Sequence, residues 1–320
     1  MLILSSEAIE QAASPHLWTD VMELALKAVP DKDYKTPDRM HVDVSENTLL
    51  IMPSIGPDIF TTKLVSVFPE NARYNQPSIH GTLLLNDGKT GEPLALLNGS
   101  KLTAMRTAAV AAVGVRHLAN GNVESIGVVG AGMQGRHMAW IVGTEKEVSK
   151  IYVFDLSADM IEAFKVFVAD KMPQAEVIAC QSVEQLCRES QVIVTGTTSK
   201  KPVLPADKSL LEGKTIVGVG SFRPNMREFP DELFALCDKI WVDADHGKRE
   251  SGDLCQPLKE NIIHEEQVVS ITQLLVGEEK PDRNATHVFK TVGLGIFDLF
   301  GAKLAYEKAV EGNLGQNVTL

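Results

Sequence analysis

Apolar residues along this 320-residue chain fall into two rhythms. Between residues 40 and 98 they come in short runs, at 40–44, 49–52, 60–68, 79–85 and 94–97, separated by polar turn clusters such as Asn86-Asp87-Gly88-Lys89-Thr90-Gly91. Short apolar runs with Asn/Asp/Gly turns between them predict a largely antiparallel sheet with at least one hairpin. From residue 125 the pattern changes: Val/Ile-rich runs at 126–129, 151–154, 176–179, 192–195, 215–219 and 240–242 alternate with helical stretches at 133–142, 157–171, 183–188 and 230–236. Strands apolar on both faces and separated by helices predict a parallel sheet covered on both sides.

Helical spacing is also present at 7–28, where Pro15 allows one or two helices, and at 102–119, an alanine-rich stretch with Ser100 as N-cap and Asn120-Gly121 as its stop. The last element, 291–311, opens with Val-Gly-Leu-Gly and continues as a long amphipathic helix that is expected to return to the first domain. The expected fold is therefore α/β: a central doubly wound Rossmann domain at 119–291, and a mixed or antiparallel sheet domain at 1–118 completed by 292–320. There is no internal repeat, and the polar tail after Gly312 is expected to fray.

Composition narrows the function classes. A net charge of -11 argues against a nucleic-acid surface, which needs basic stripes to neutralise phosphates. No apolar run approaches the roughly 20 residues that span a bilayer. Glu7 and Glu10 stand where a signal peptide is basic, so a soluble, cytoplasmic protein is expected. Cys180, Cys187, Cys237 and Cys255 form no C-x-x-C pair, and neither a metal site nor a disulfide framework is indicated.

The most informative stretch is 125–136, Ser-Ile-Gly-Val-Val-Gly-Ala-Gly-Met-Gln-Gly-Arg, an apolar strand running into three glycines and then a helix. It reads as a dinucleotide-binding turn: Gly130 for the tight bend, Gly132 for close approach of a pyrophosphate, Gly135 for helix–strand packing. Ala131, Met133 and Gln134 complete the loop, and the phosphates are expected at the helix N-terminus, where unpaired N–H groups and the dipole favour an anion. Asp155, twenty residues past Gly135 at the end of the next strand, is placed to accept hydrogen bonds from an adenosine ribose diol. Thr195 and Thr197, with Val219 on the following strand, lie at the carboxyl ends where such sheets bind ligands. The loop Thr195-Gly196-Thr197-Thr198 reads either as a contact to the nicotinamide ribose or as a plain small-residue turn.

Several charged residues sit among apolar neighbours. Lys63, in Thr61-Thr62-Lys63-Leu64-Val65, shares a strand face with Val65 and Val67 while Leu64 and Phe68 take the other. It is either a functional cation or a lysine snorkelling from an edge strand. Arg106 emerges from a helical stripe of Leu102, Thr103, Ala109 and Val110, and a buried arginine needs an anionic partner, structural or bound. Arg39 by itself reads as a solvated loop residue, and Asp298 as a complement to its helix dipole or as a catalytic acid.

Taken together, Arg39, Thr-Lys63-Leu-Val, the hairpin Leu-Asn-Asp-Gly-Lys-Thr-Gly-Glu-Pro-Leu-Ala, Leu-Thr-Ala-Met-Arg106-Thr-Ala-Ala, the glycine turn and Asp-His-Gly-Lys-Arg-Glu-Ser-Gly-Asp-Leu resemble the ornithine cyclodeaminase and mu-crystallin family over nearly the whole chain. The resemblance implies a homodimer whose N-terminal sheet domain, joined by the C-terminal helix, binds substrate against a central Rossmann domain. It assigns Arg39, Lys63, Ser78 and Arg106 to a substrate carboxylate, with Lys63 also catalytic and Asp298 relaying a proton. One departure decides between activities: Gly220-Ser221-Phe222 places Phe222 where cyclodeaminases carry a catalytic aspartate, and no glutamate stands near Leu50. Hydride transfer without those carboxylates implies reduction of a cyclic imino acid, Δ1-pyrroline-2-carboxylate or Δ1-piperideine-2-carboxylate, to proline or pipecolate. Ornithine cyclodeaminase, alanine dehydrogenase and a non-enzymatic, mu-crystallin-like nucleotide-binding protein are the alternatives. Asp155 favours NADH, with NADPH possible.

Overall fold

The computed structural model describes residues 1–282 and 284–319. It divides into two compact units: Met1–Arg106 with the segment returning from Leu294, and Thr107–Gly293. The first break falls inside a helix rather than at its end near residue 118. Beyond Thr107 that helix belongs to the second unit, where an added Cβ on Gly114 would lie 2.3 Å from the Phe289 ring.

The first unit opens with β1 (Leu2–Leu4), α1 (Ser6–Ala12) and α2 (Pro15–Ala28). Ser5 caps α1 by accepting the Ala8 N–H, and Ser14 caps α2 with Pro15 following in its first turn, so the 7–28 stretch becomes two helices. Trp18, Met22, Ala25 and Leu26 are fully buried, and their spacing gives α2 one core-facing stripe. Then follow β2 (Met40–Val44), β3 (Asn47–Ile55), β4 (Ile59–Val67), β5 (Ile79–Asp87), β6 (Pro93–Asn98) and α3 (Gly99–Leu118).

In the second unit come β7 (Ser125–Val129), α4 (Met133–Glu145), β8 (Lys150–Phe154), α5 (Ala158–Lys171), β9 (Glu176–Ala179), α6 (Val183–Glu189), β10 (Val192–Thr195) and β11 (Thr215–Gly218). The chain continues through α7 (Asp231–Phe234), β12 (Ile240–Val242), α8 (Gly247–Glu250), α9 (Gly252–Lys259), β13 (Val268–Ser270), α10 (Ile271–Leu275) and β14 (His287–Lys290). Finally α11 (Gly295–Glu311) and β15 (Gln316–Asn317) return to the first unit.

Among the described residues the first unit has a seven-stranded sheet ordered β15-β1-β6-β5-β4-β3-β2. Its ladders are antiparallel except for β1 against β6, which makes the sheet mixed. The second unit has an eight-stranded sheet ordered β13-β12-β14-β11-β10-β7-β8-β9. All of its pairs are parallel. The expected α/β architecture is present. The chain runs outward from β7 through β8 to β9 and then resumes on the other side with β10, so β7 and β10 flank the switch point where sheets of this kind bind ligands.

Two strands of the parallel sheet have no counterpart in the hydrophobic pattern. β14 carries His287 and Lys290, buried at 5% and 1% exposure, and these polar residues break the apolar run that marks its neighbours. β13, of three residues, is too short to show a period. No helix among the described residues is long and apolar enough to cross a membrane.

Candidate active site

In the first unit the antiparallel register places Met52, Lys63 and Leu83 side by side across β3, β4 and β5. Met52 and Leu83 are buried, and Lys63 is only 2% exposed. Because β4 is paired on both sides, Lys63 is not on an edge strand and has no route to snorkel into water. The opposite face of β4 is open: Leu64, expected to be covered, is 44% exposed.

Asp298 arrives from the first turn of α11. Gly295 makes this possible, since a Cβ there would lie 2.9 Å from Thr36 Cγ2 and 3.3 Å from the Pro53 carbonyl oxygen. Lys63 Nζ donates to Asp298 Oδ2 at 2.6 Å, and Arg106 Nε donates to Asp298 Oδ1 at 3.0 Å. Arg106, on the buried stripe of α3, thus has its carboxylate within the protein.

Two buried cations share one buried carboxylate. Burial, the largest influence, pushes the Lys63 pKa down to about 8; Asp298 opposes it, while Arg106 and Arg39 push further down. For Asp298, burial acts to raise the carboxyl, but Arg106 and Lys63 outweigh it and hold the group below its ordinary value. Within this trio Arg106 and protonated Lys63 set two positive charges against one carboxylate, an arrangement that attracts an anionic ligand. Arg39 is half-buried and its charge is felt at Lys63. Ser78 is not brought to this cluster: it is exposed, and its carbonyl accepts the Phe68 N–H at 2.7 Å. Phe68 is five positions along the strand from Lys63, about 17 Å at the usual rise.

In the second unit the glycine turn has the geometry its sequence predicts. Gly130 has φ +99 and donates its N–H to the Phe154 carbonyl, and an added Cβ would meet the Gly196 carbonyl oxygen at 2.8 Å. A Cβ on Gly135 would lie 1.8 Å from the Gly130 carbonyl oxygen, so only glycine allows α4 to approach β7 this closely. Around Gly132 the space is open, and this residue caps α4 with no side-chain hydrogen bond to the helix amides. Open space in front of uncapped N–H groups fits a pyrophosphate. Met133 and Gln134 form the first turn of α4.

Asp155 follows β8 directly, its Oδ2 accepting the Ala131 N–H at 2.7 Å and its Oδ1 the Ser157 N–H at 2.9 Å. Those bonds fix the carboxylate beside the turn, and each oxygen retains a lone pair for a ribose hydroxyl. Thr195 is fully buried at the end of β10, and among the described residues its hydroxyl has no hydrogen-bond partner. Thr197, two residues on, donates its N–H and its hydroxyl to Glu228 at 2.7 and 2.9 Å. Val219 follows β11, its N–H bonded to the Thr195 carbonyl at 2.9 Å. Phe222 is half-buried in the same loop, with the Arg223 guanidinium 5.7 Å from its ring centroid. Glu228 carried no signal in the sequence, because a single acid between Arg227 and Phe229 looks like any surface residue.

A doubly wound parallel sheet with a dinucleotide turn, joined in one chain to a sheet unit that buries a Lys–Asp–Arg cluster, defines a two-domain protein of the nicotinamide dehydrogenase class. More narrowly, the chain belongs to the ornithine cyclodeaminase/mu-crystallin family, whose model matches residues 1–313. It is 32% identical to a Δ1-pyrroline-2-carboxylate reductase of Bacillus cereus over 326 residues, covering 99% of each chain. With the ketimine reductase mu-crystallin of Mus musculus it shares 30% identity over 288 residues, 88% of each chain. Among solved structures, the Δ1-pyrroline-2-carboxylate reductase of Thermococcus litoralis in complex with NADH and L-proline superposes with a TM-score of 0.91 at 33% identity, covering 99% of this chain and 100% of that one. An archaeal alanine dehydrogenase dimer with bound NAD shares the fold at a TM-score of 0.89 and 23% identity, covering 100% of this chain and 99% of that one.

Proposed function

We propose that this protein is an NAD(P)H-dependent reductase of a cyclic imino acid, converting Δ1-pyrroline-2-carboxylate, Δ1-piperideine-2-carboxylate or both to L-proline or L-pipecolate. The observation that carries the reading is the buried cluster of Lys63, Asp298 and Arg106, in a chain matched from end to end by pyrroline-2-carboxylate reductases. A bound reduced nicotinamide would supply the hydride for the imine carbon, which leaves the protein to hold the substrate carboxylate and deliver one proton to the nitrogen. Arg106 and Arg39 are the carboxylate ligands, since a planar guanidinium matches two carboxylate oxygens. Lys63 is the proton donor. Its pKa, down to about 8, makes it a stronger acid than a solvated lysine while leaving it largely protonated at neutral pH. Asp298 holds the ammonium in place and is the path by which the proton is replaced. By the family resemblance Phe222 takes the place of a cyclodeaminase's catalytic aspartate and the glutamate expected near Leu50 is missing, so the acids that would manage the protons of an amine nucleophile and a departing ammonia are lacking.

The test is a turnover panel with NADH or NADPH and, separately, pyrroline-2-carboxylate, piperideine-2-carboxylate, pyruvate with ammonia, and ornithine. Stoichiometric loss of the reduced-nicotinamide absorbance with a cyclic imine is the expected result. Proline and ammonia from ornithine with only catalytic NAD would overturn it. Gly130, Ala131, Gly132, Met133, Gln134, Gly135, Asp155, Thr195, Thr197 and Val219 are the residues assigned to the cofactor. Asp155 favours NADH because a carboxylate repels a 2′-phosphate and bonds a free diol; a lower dissociation constant for NADPH would contradict this.

The protein is also proposed to be a homodimer. Met40, Val42, Leu49 and Leu64 share the outer face of the sheet and are 58%, 40%, 39% and 44% exposed, an apolar surface suited to a second copy. All four cysteines are free, which fits a cytoplasmic enzyme.

A further inference from the structure

Among the charged side chains that the second unit buries at the carboxyl edge of the parallel sheet are Glu228 and Asp253, at 0% exposure, and Lys290 at 1%. Burying them costs several kcal/mol per ion, so the arrangement calls for a compensating network. Glu228 has one. Its Oε1 accepts the Thr197 N–H and hydroxyl at 2.7 and 2.9 Å; its Oε2 accepts the Gly220 and Ser221 N–H groups at 2.8 and 3.3 Å. Thr197 belongs to the loop after β10 and Gly220 to the loop after β11, so a single carboxylate ties two neighbouring loops together. They are in backbone contact, since a Cβ on Gly220 would lie 2.2 Å from the Thr197 carbonyl oxygen.

Glu228 is itself held from behind. Asp253 Oδ1 accepts the Glu228 and Phe229 N–H groups at 2.6 and 2.9 Å. Lys290 Nζ lies 3.2 Å from Asp253 Oδ2, 3.9 Å from Glu228 Oε2 and 5.8 Å from the Phe229 ring centroid. Lys290 thereby offsets part of the charge of both acids. All four groups bonded to Glu228 are donors, and only a carboxylate accepts from all of them; an amide would turn an N–H toward an N–H.

The position of the two loops indicates which part of a cofactor they serve. Asp155, after β8, lies on one side of the glycine turn and marks the adenosine end. The loops after β10 and β11 lie on the other side of β7, so a dinucleotide crossing the turn presents its nicotinamide end to them. We infer that Glu228 is a positioning residue for the nicotinamide half of the cofactor, fixing the spacing of Thr197, Val219 and Gly220 through its carboxylate. The inference rests on the cofactor reading above.

Calorimetric titration of the wild type, Glu228→Gln and Glu228→Asp with NADH and with ADP-ribose, which lacks the nicotinamide ring, tests this. Glu228→Asp keeps the carboxylate and the formal charge of the cluster on a side chain one methylene shorter, and carries the test if Glu228→Gln does not fold. In both variants NADH affinity is expected to fall about tenfold or more while ADP-ribose affinity changes less than about twofold, because only the preorganised nicotinamide end is lost. Equal loss for both ligands, or retained NADH affinity in either variant, would overturn the assignment. A wild type that binds ADP-ribose but gains nothing from the nicotinamide ring would overturn the cofactor reading, and this assignment with it.

Discussion

Lys63 is read as an acid because of where it sits. On an edge strand it would reach water and keep an ordinary pKa; between β3 and β5, under α11, it has Asp298 as its hydrogen-bonded anion and a pKa near 8. Lys63→Met is expected to lower reductive turnover by about 10²–10⁴-fold, the usual contribution of a positioned acid, while NADH affinity stays unchanged in a binding titration. Activity should fall as pH rises through about 8, because the protonated donor is lost there. Stability runs the other way for this group. Between about pH 8 and the unfolded lysine value of about 10.4, the unfolded chain binds the proton more tightly, so stability rises across that window. Asp298, depressed in the fold, contributes stability that is present above the unfolded value of about 3.9 and is lost as pH falls through its lower folded value. Thermal melting across pH checks both signs. Asp298→Ala leaves two buried cations without their carboxylate and should cost about 3–5 kcal/mol in urea unfolding. Lys63 and Arg106 are noticeable in the sequence because charges interrupt apolar patterns. Asp298 is ambiguous there, since an acid in the first turn of a helix also satisfies the dipole without any partner.

The glycine turn is the element whose chemistry was most legible, because its three glycines answer to local constraints. Its positions respond differently to a methyl group. Gly135→Ala forces a Cβ onto the Gly130 carbonyl and should cost about 1–3 kcal/mol of stability together with NADH binding. Gly132→Ala has open space and an ordinary φ of -68, so stability should change by less than about 0.5 kcal/mol, while a methyl in front of the amides weakens NADH binding. Chemical denaturation and NADH titration of the two variants separate these effects. The strands with regular apolar runs were equally legible. β14 was not, because His287 and Lys290 are buried by partners that lie elsewhere in the chain: Asp282 supplies a carbonyl to His287 and Asp253 a carboxylate to Lys290. β1 and β15 have too few residues to carry a pattern.

For the molecule as a whole, the exposed apolar face of the first sheet is the feature that calls for a second copy. Val42→Glu combined with Leu64→Glu is expected to convert a dimer to monomers in sedimentation velocity, because paired charges on that face resist desolvation. A wild-type monomer at assay concentration would overturn the homodimer proposal. The division into units shows how far pattern reaches. Alternating and near-continuous apolar runs distinguish the two sheets, and the glycine turn announces a nucleotide, because these features depend on neighbours within a few residues. The pairings that give the chain its chemistry depend on packing. Lys63 meets a carboxylate 235 residues away, and Arg106 meets the same group from 192 residues away. Nothing in a local period specifies which of 42 acids will answer a given cation. That choice is made when α11 packs onto β3 and β4 through Gly295, where burial removes water as the competing partner.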